Sequence, residues 1–186
     1  MFGDARGRKV VLIAHCLLNQ NSIVLGLARR KAMVKELLEL FDKYGLGVIQ
    51  LPCPEILHCG LRRWWMTKEQ YDNPGFRSLC LKLSEQVIQY LIEYRRNGVE
   101  IIGLIGVAGS PSCGVNTTCT GWRGGRPSVR YPLKRVEGQG VFMEILLDSL
   151  KSRNVLPKVV VEYDYDNAEK SLKLIESELK KALSTS

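Results

Sequence analysis

Apolar residues along the chain keep two different periods, and the alternation between them predicts the elements of the fold. Residues 10–15, VVLIAH, form an unbroken apolar run of the kind expected of a parallel strand covered on both faces. Val34, Leu37, Leu38 and Phe41 then recur at i, i+3, i+4 and i+7, which predicts an amphipathic helix closed by Tyr44-Gly45. Residues 47–51 read as a second strand, halted by Pro52 and Pro54. Phe76, Leu79, Cys80, Leu83, Val87, Leu91 and Tyr94 draw the stripe of a long helix that ends at Asn97-Gly98. Residues 100–107 are the richest β-branched run in the chain and predict a third strand. A segment rich in Gly, Pro and Arg follows at 109–138, longer than a compact fold needs for a connection. After it come a helix bearing Val141, Phe142, Ile145, Leu146 and Leu150, a fourth strand at 158–163, and a last helix bearing Leu172, Ile175, Leu179 and Leu183.

Strands alternating with helices predict an α/β fold: a single-domain, three-layer Rossmann-like sandwich around a mainly parallel four-stranded sheet. Right-handed β-α-β crossovers are the short way to cover both faces of such a sheet. At 186 residues the chain has the length of one domain, 1–186, with a substantial core. Hydrophobic residues at 45% and charged residues at 25% exclude an intrinsically disordered chain. No apolar run approaches the ~20 residues of a bilayer span. The basic N-terminus leads into an apolar run with no small-residue cleavage pattern behind it, so a cytoplasmic protein is expected. A formal charge of +8, from 27 basic and 19 acidic residues, favours an anionic partner, phosphate first.

Six cysteines in a chain expected to meet a reducing compartment read as core residues, metal ligands or nucleophiles, not as a disulfide framework. Their positions separate them. In an open parallel sheet ligands bind beyond the carboxyl ends of the strands. Cys16 follows the first strand in HCLLN, Cys53 the second in LPCPE and Cys113 the third in GSPSCG, so all three are predicted on one rim. Cys80 lies on a helix stripe and belongs to the core, while Cys59 and Cys119 fall in loops near that rim. Three thiolates could hold zinc with a fourth ligand from His15, His58, Cys59 or Cys119, as in a zinc-dependent hydrolase, although the C-x-x-C pairs of structural zinc sites are absent. They could equally hold an iron–sulfur cluster, leaving one iron open to a substrate atom, for which sulfur is a good match. A thiolate metal-binding or nucleic-acid-binding module without catalysis is the alternative outside enzymes.

The segments HCLLNQNS and GLAR within 15–29, QLPCPE at 50–55, GLRRW at 60–64, MTKEQYD at 66–72 and GVAGSPSCGVN at 106–116 resemble the TudS-related desulfidases, relatives of the thiouracil desulfidase (TudS) family. The resemblance runs roughly from Lys9 to Leu156. It implies a 4Fe-4S cluster held by Cys16, Cys53 and Cys113, with one open iron that binds the sulfur of a thiolated pyrimidine base or nucleotide. It also implies catalytic roles for Glu55, as activator of water or proton donor to a ring nitrogen, and for Ser110. Two departures bear on the substrate and not on the cluster ligands. The characterised thiouracil enzymes continue their first cysteine motif with Cys-Arg-Tyr-Asp-Gly, where this chain has Asn19-Gln20-Asn21-Ser22. They carry Gly-Gly-Leu after the second motif, where this chain has Cys59-Gly60-Leu61.

Ser112 is a further candidate for contact with substrate or a cluster sulfide, and Asn19 could read the polar edge of a base. His15 is expected to point to the opposite face of its strand from Cys16. Residues 121–135 carry Arg123, Arg126, Arg130, Lys134 and Arg135 among Trp122 and Tyr131 with no acid, and Arg62-Arg63-Trp64-Trp65 forms a second such group. Either a solvated loop or a lid that grips phosphate and stacks on a base fits that pattern, with Arg123 and Arg126 as the phosphate candidates. It does not separate a free nucleotide from one within RNA.

Overall fold

The computed structural model describes residues 3–125 and 132–184. Its first half comprises β1 (Lys9–Ile13), α1 (His15–Leu18), a 3-10 turn (Gln20–Ser22), α2 (Lys35–Lys43), β2 (Gly47–Gln50), α3 (Pro54–Cys59), α4 (Lys68–Tyr71) and α5 (Pro74–Arg96). The second half comprises β3 (Glu100–Val107), β4 (Thr117–Thr120), β5 (Lys134–Glu137), α6 (Val141–Ser152), β6 (Val159–Tyr163) and α7 (Ala168–Ser184).

Four strands form one parallel sheet in the order β2-β1-β3-β6. The two central strands are the most apolar, and Val11, Leu12, Ile13, Ile102, Leu104 and Ile105 are fully buried, as strands covered on both faces must be. Helices supply the cover in two layers. α5 packs on α6 and β3, whereas α7 packs on β6, β3 and α2. The sandwich therefore has the three layers that the alternating pattern predicts.

Local chemistry sets the helix ends. Asn73 opens α5 by accepting the Phe76 N–H at 3.0 Å, with Pro74 in the first turn, where a missing N–H costs nothing. Thr67 and Gln70 form a reciprocal capping box on α4. The buried stripe of α5, Phe76, Cys80, Leu83, Val87, Ile88 and Leu91, includes Cys80 as expected, and truncating one of its large side chains should cost about 2–5 kcal/mol.

Two expectations change. The apolar run at 10–15 is not strand throughout: β1 stops at Ile13, and the Leu17 N–H bonds to the Ala14 carbonyl at 3.1 Å to start a helical turn. The segment 109–138 is not wholly irregular either, since β4 and β5 pair antiparallel, Thr117 opposite Glu137. Thr117-Thr118-Cys119-Thr120 has too little apolar alternation to announce a strand. No helix among the described residues is long and apolar enough to cross a membrane.

Candidate active site

Sheet register decides where the cysteines go. Ile13 pairs with Gln50, and Cys16 and Cys53 each lie three residues beyond a member of that pair. Val107 pairs with Tyr163, so the chain after β3 and the chain after β6 leave the sheet side by side on the same edge. Cys53 occupies the N-cap of α3, with Pro54 at its first position.

The Cys113 loop folds back onto its own strand. The Val107 N–H donates to the Cys113 carbonyl at 2.9 Å, and the Gly114 N–H to the Ser110 carbonyl at 3.2 Å. The start of α6 has no side-chain cap. Instead the N–H groups of Gly140, Val141 and Met143 donate to the carbonyls of Gly114, Pro111 and Ser112 at 2.9, 2.9 and 3.0 Å, so loop and helix satisfy each other's open backbone groups. That approach requires glycine: a Cβ on Gly140 would stand 2.4 Å from the Ser112 carbonyl carbon. On the other flank the Glu162 carboxylate accepts the N–H groups of Val115, Asn116 and Thr117 at 2.9, 2.8 and 3.2 Å, and the Thr117 hydroxyl at 2.7 Å.

These turns enclose a cavity of about 400 Å³ lined by Cys16, Cys53, Cys113, Glu55, Ser110 and Ser112, with Leu27, Trp65 and Met66 among its apolar walls. All six cysteines are free thiols. Burial pushes the Cys16 thiol up to about 12, and the negative charges of Cys53 and Glu55 push it further the same way. Burial first, then Cys16 and Cys53, carries the Cys113 thiol well above its usual value. Cys53 also rises, through burial and then Glu55, while the Ile56 and Glu55 backbone N–H groups and Arg63 work in the opposite sense. Thiols that raise one another stay protonated at neutral pH and ionise when a cation displaces their protons.

Among the described residues no group of three His, Cys, Asp or Glu side chains could hold a metal ion. A mononuclear zinc site, with ligands about 2.0–2.3 Å from one ion, is thus not pre-formed. An iron–sulfur cluster distributes its thiolates over separate irons and does not ask for that convergence. Three reduced, soft donors on the wall of one cavity, Cys113 buried and Cys16 and Cys53 half-buried, fit such a group.

A string of polar side chains runs behind the sulfurs. Ser112, 1% exposed, donates its hydroxyl to Glu55 Oε1 at 2.6 Å. Glu55 Oε2 accepts Nε–H of Arg63 at 2.9 Å, and the Arg63 side chain is only 3% exposed. Burial disfavours the guanidinium charge, but Glu55 outweighs that and the Arg63 pKa rises. Ser110 lines the cavity too, and its Oγ accepts the Cys113 N–H at 3.0 Å.

Other candidates are placed differently from expectation. His15 faces the cavity beside Cys16, because β1 has ended and a helical turn does not alternate sides; burial lowers its pKa. Asn19 does not line the cavity, and its carboxamide oxygen accepts the Asn21 N–H at 3.1 Å to cap the 3-10 turn. Arg123 is exposed and apart from the cavity wall, while Arg126, Arg130 and Tyr131 lie outside the described residues. Arg29, Lys134 and Arg135 are the basic residues at the rim, with Arg29 paired to Asp166 at 3.2 Å and Arg135 to Asp164 at 3.1 Å. Cys59 is exposed at the end of α3, and His58 stacks edge-on against Phe76. Cys119 is buried in the cavity wall, its thiol donating to the Met66 carbonyl at 3.6 Å; burial lifts it to about 11.

Sequence reasoning missed Glu162 and Gln20, and it grouped Arg63 with solvated or phosphate-gripping arginines although its partner is the buried Glu55 carboxylate. Gln20, 2% exposed, donates to the Cys16 carbonyl at 2.7 Å and the Tyr165 hydroxyl at 2.5 Å and accepts the N–H groups of Arg29 and Arg30, both at 3.1 Å. Tyr165 and its flanking aspartates were within reach of the strand-end rule that found the cysteines, since they follow the fourth strand of the sheet.

Fold and cavity together define an α/β protein whose strand ends gather three reduced cysteines and a buried carboxylate into one pocket. Residues 8–137 match the family described as "Putative 2-thiouracil desulfurase", and the chain belongs to that family. An uncharacterised protein of Methanocaldococcus jannaschii is 33% identical over 171 residues, which cover 90% of this chain and 96% of that protein. A solved structure of a 4Fe-4S-dependent thiouracil desulfidase, TudS, superposes with a TM-score of 0.48 at 15% identity, over 91% of this chain and 99% of that one.

Proposed function

We propose that this protein is a cytoplasmic iron–sulfur desulfidase that hydrolyses the thiocarbonyl of a thiolated pyrimidine to a carbonyl and releases the sulfur as sulfide. The observation that carries the reading is the meeting of Cys16, Cys53, Cys113 and Glu55 in one cavity, in a chain of the thiouracil desulfurase family. Cys16, Cys53 and Cys113 would hold a 4Fe-4S cluster. When bound, the cluster supplies a Lewis-acidic iron for the substrate sulfur. Free thiols suit a reducing compartment.

The residues of the chain do the rest. Leu27, Trp65 and Met66 offer apolar surface to a flat ring and keep bulk water from it. Glu55 takes a proton from the attacking water. The water oxygen bonds to the carbon, the carbon–sulfur bond breaks, and sulfide departs with a proton, so no electron is gained or lost overall. Ser112 holds one oxygen of that carboxylate, and Ser110, whose Oγ accepts the Cys113 N–H and lies 3.4 Å from the Ser112 Oγ, would turn its proton from that long contact to a substrate acceptor. Arg29, Lys134 and Arg135 line the cavity, the first and last paired to Asp166 and Asp164, and a nucleotide's phosphate would compete with those aspartates for them, which extends the reading from the free base to a nucleotide.

The test is anaerobic purification with iron and sulfide analysis, followed by sulfide release from 2-thiouracil and a thiolated uridine monophosphate. Glu55→Gln should keep iron and substrate binding and slow turnover on the order of 10²-fold, whereas Cys53→Ala should lose iron and turnover together. A colourless protein with stoichiometric zinc, or a fully active Glu55→Gln, would overturn this assignment.

A further inference from the structure

A buried ion pair is a poor way to stabilise a fold. Removing two charges from water costs several kcal/mol per ion, and apolar residues of similar size usually serve as well. Arg63–Glu55 is such a pair, with side chains 3% and 11% exposed, whereas Arg135–Asp164 and Lys68–Glu144 remain partly wet. What the pair connects accounts for its position. The planar guanidinium uses three sides: Nε–H on Glu55 Oε2 at 2.9 Å, Nη2–H on the Ser22 carbonyl at 2.8 Å, and Nη1–H on the Gly60 carbonyl at 3.3 Å. Ser22 ends the turn that follows Cys16, Gly60 closes the helix that begins beside Cys53, and Ser112, adjacent to Cys113, holds the other oxygen of Glu55. One string of hydrogen bonds thus ties together the three segments that carry the cavity cysteines.

We infer that Arg63 is a positioning residue of this site, holding the Glu55 carboxylate in one orientation while it clamps the Cys16 and Cys53 turns to each other; the role rests on the reading of Glu55 as base. The residue is therefore not a surface contact for phosphate, as its place in Arg62-Arg63-Trp64-Trp65 suggests. Lysine cannot substitute, because a single ammonium lacks the flat fork that reaches three acceptors in one plane.

Arg63→Ala and Arg63→Lys, loaded anaerobically, are compared with Glu55→Gln for iron content, visible spectrum, and kcat and KM on 2-thiouracil. Both Arg63 variants should retain iron and lose kcat on the order of 10²-fold with KM changed only a few-fold. Millimolar guanidinium, but not sodium at equal ionic strength, should restore Arg63→Ala about tenfold by refilling the vacated site. In the metal-free protein, backbone amide exchange over 16–22 and 53–60, mapped by peptide mass, should quicken about tenfold in Arg63→Ala and slow again with guanidinium, as expected when a clamp on two turns is released. This readout needs neither cluster nor turnover, and Arg63→Lys supplies it if the alanine variant does not fold. Unchanged amide exchange over those turns, or equal rescue by sodium, overturns the inference. A slow Glu55→Gln beside a fast Arg63→Ala sinks the Arg63 role alone; a fast Glu55→Gln sinks the base assignment instead.

Discussion

Replacing Gly140 with alanine tests how closely the Cys113 loop and α6 are fitted together. Gly140 has φ −72° and ψ 157°, ordinary extended backbone, so alanine is not strained by its own conformation. The added Cβ would nevertheless stand 2.4 Å from the Ser112 carbonyl carbon, 2.6 Å from its oxygen and 2.8 Å from the Cys113 nitrogen. These are backbone atoms that no rotamer change can move. Restoring ordinary contact demands a shift of roughly 1 Å, which lengthens the bonds from Gly140, Val141 and Met143 to the loop carbonyls. Overpacking of this kind costs about 1–3 kcal/mol, against a gain of about 0.4–1 kcal/mol from stiffening the unfolded chain. The net loss of about 1–2 kcal/mol corresponds to a fall in Tm of roughly 2–8 °C for a chain of this size. Because the displaced atoms belong to Ser112 and Cys113, iron loading should fall more than stability does. Gly75→Ala is the control: the nearest atom to its Cβ is 3.4 Å away, and alanine favours the helix it joins. Calorimetry and iron analysis on both variants decide the matter, and Gly140→Ala with unaltered Tm and iron content would refute the steric argument.

Glu162→Ala removes the acceptor of three consecutive N–H groups and one hydroxyl, and should cost on the order of 2–3 kcal/mol while speeding alkylation of Cys113 relative to Cys16; Glu162→Gln, which keeps a carbonyl oxygen in place, should cost less. Burial would raise the Glu144 pKa, but the Arg77 and Lys68 side chains that bond to it hold the carboxyl below its ordinary 4.5. A folded-state pKa below the unfolded one stabilises at pH values above 4.5 and loses that contribution as pH falls through the folded value. Glu144→Gln should therefore be less stable at pH 7, by up to ~1 kcal/mol for this partly exposed pair, and should approach the parent near pH 3 in urea titrations.

The sheet and its covering helices were legible because each long element keeps its period over many residues: the stripe of α5 from Phe76 to Leu91 and the unbroken run of β3 leave little choice. The cavity cysteines were legible through a rule about where strands end, which needs only that the four strands be found in parallel order. What stayed hidden depends on distance in space. Arg63 sits among charged and aromatic neighbours and looks solvated in sequence, yet its partners are Glu55, eight residues away, and Ser22, forty-one away. Glu162 lies in a strand of valines and reads as its polar face, although its partners are backbone N–H groups some 45 residues earlier. Ser110 and Ser112 are two residues apart with similar surroundings in sequence; only the fold shows that Ser112 reaches Glu55 while Ser110 receives the loop backbone.

The same charges explain why these groups belong in one pocket. Glu55 disfavours ionisation of Cys16 and Cys53, and Arg63 favours it, so the guanidinium is shared between the carboxylate and the thiols. Without Arg63 the wall would hold one carboxylate and three thiols with no protein cation in the string behind them, and each ionisation would oppose the next. With it, the Glu55 carboxylate is matched by a cation of the protein itself. A carboxylate kept oriented by a fixed guanidinium on one oxygen and by Ser112 on the other can still offer its remaining lone pairs to water in the cavity. Positioning of the proposed base thus rests on one buried side chain, which its neighbours in sequence would have left at the surface.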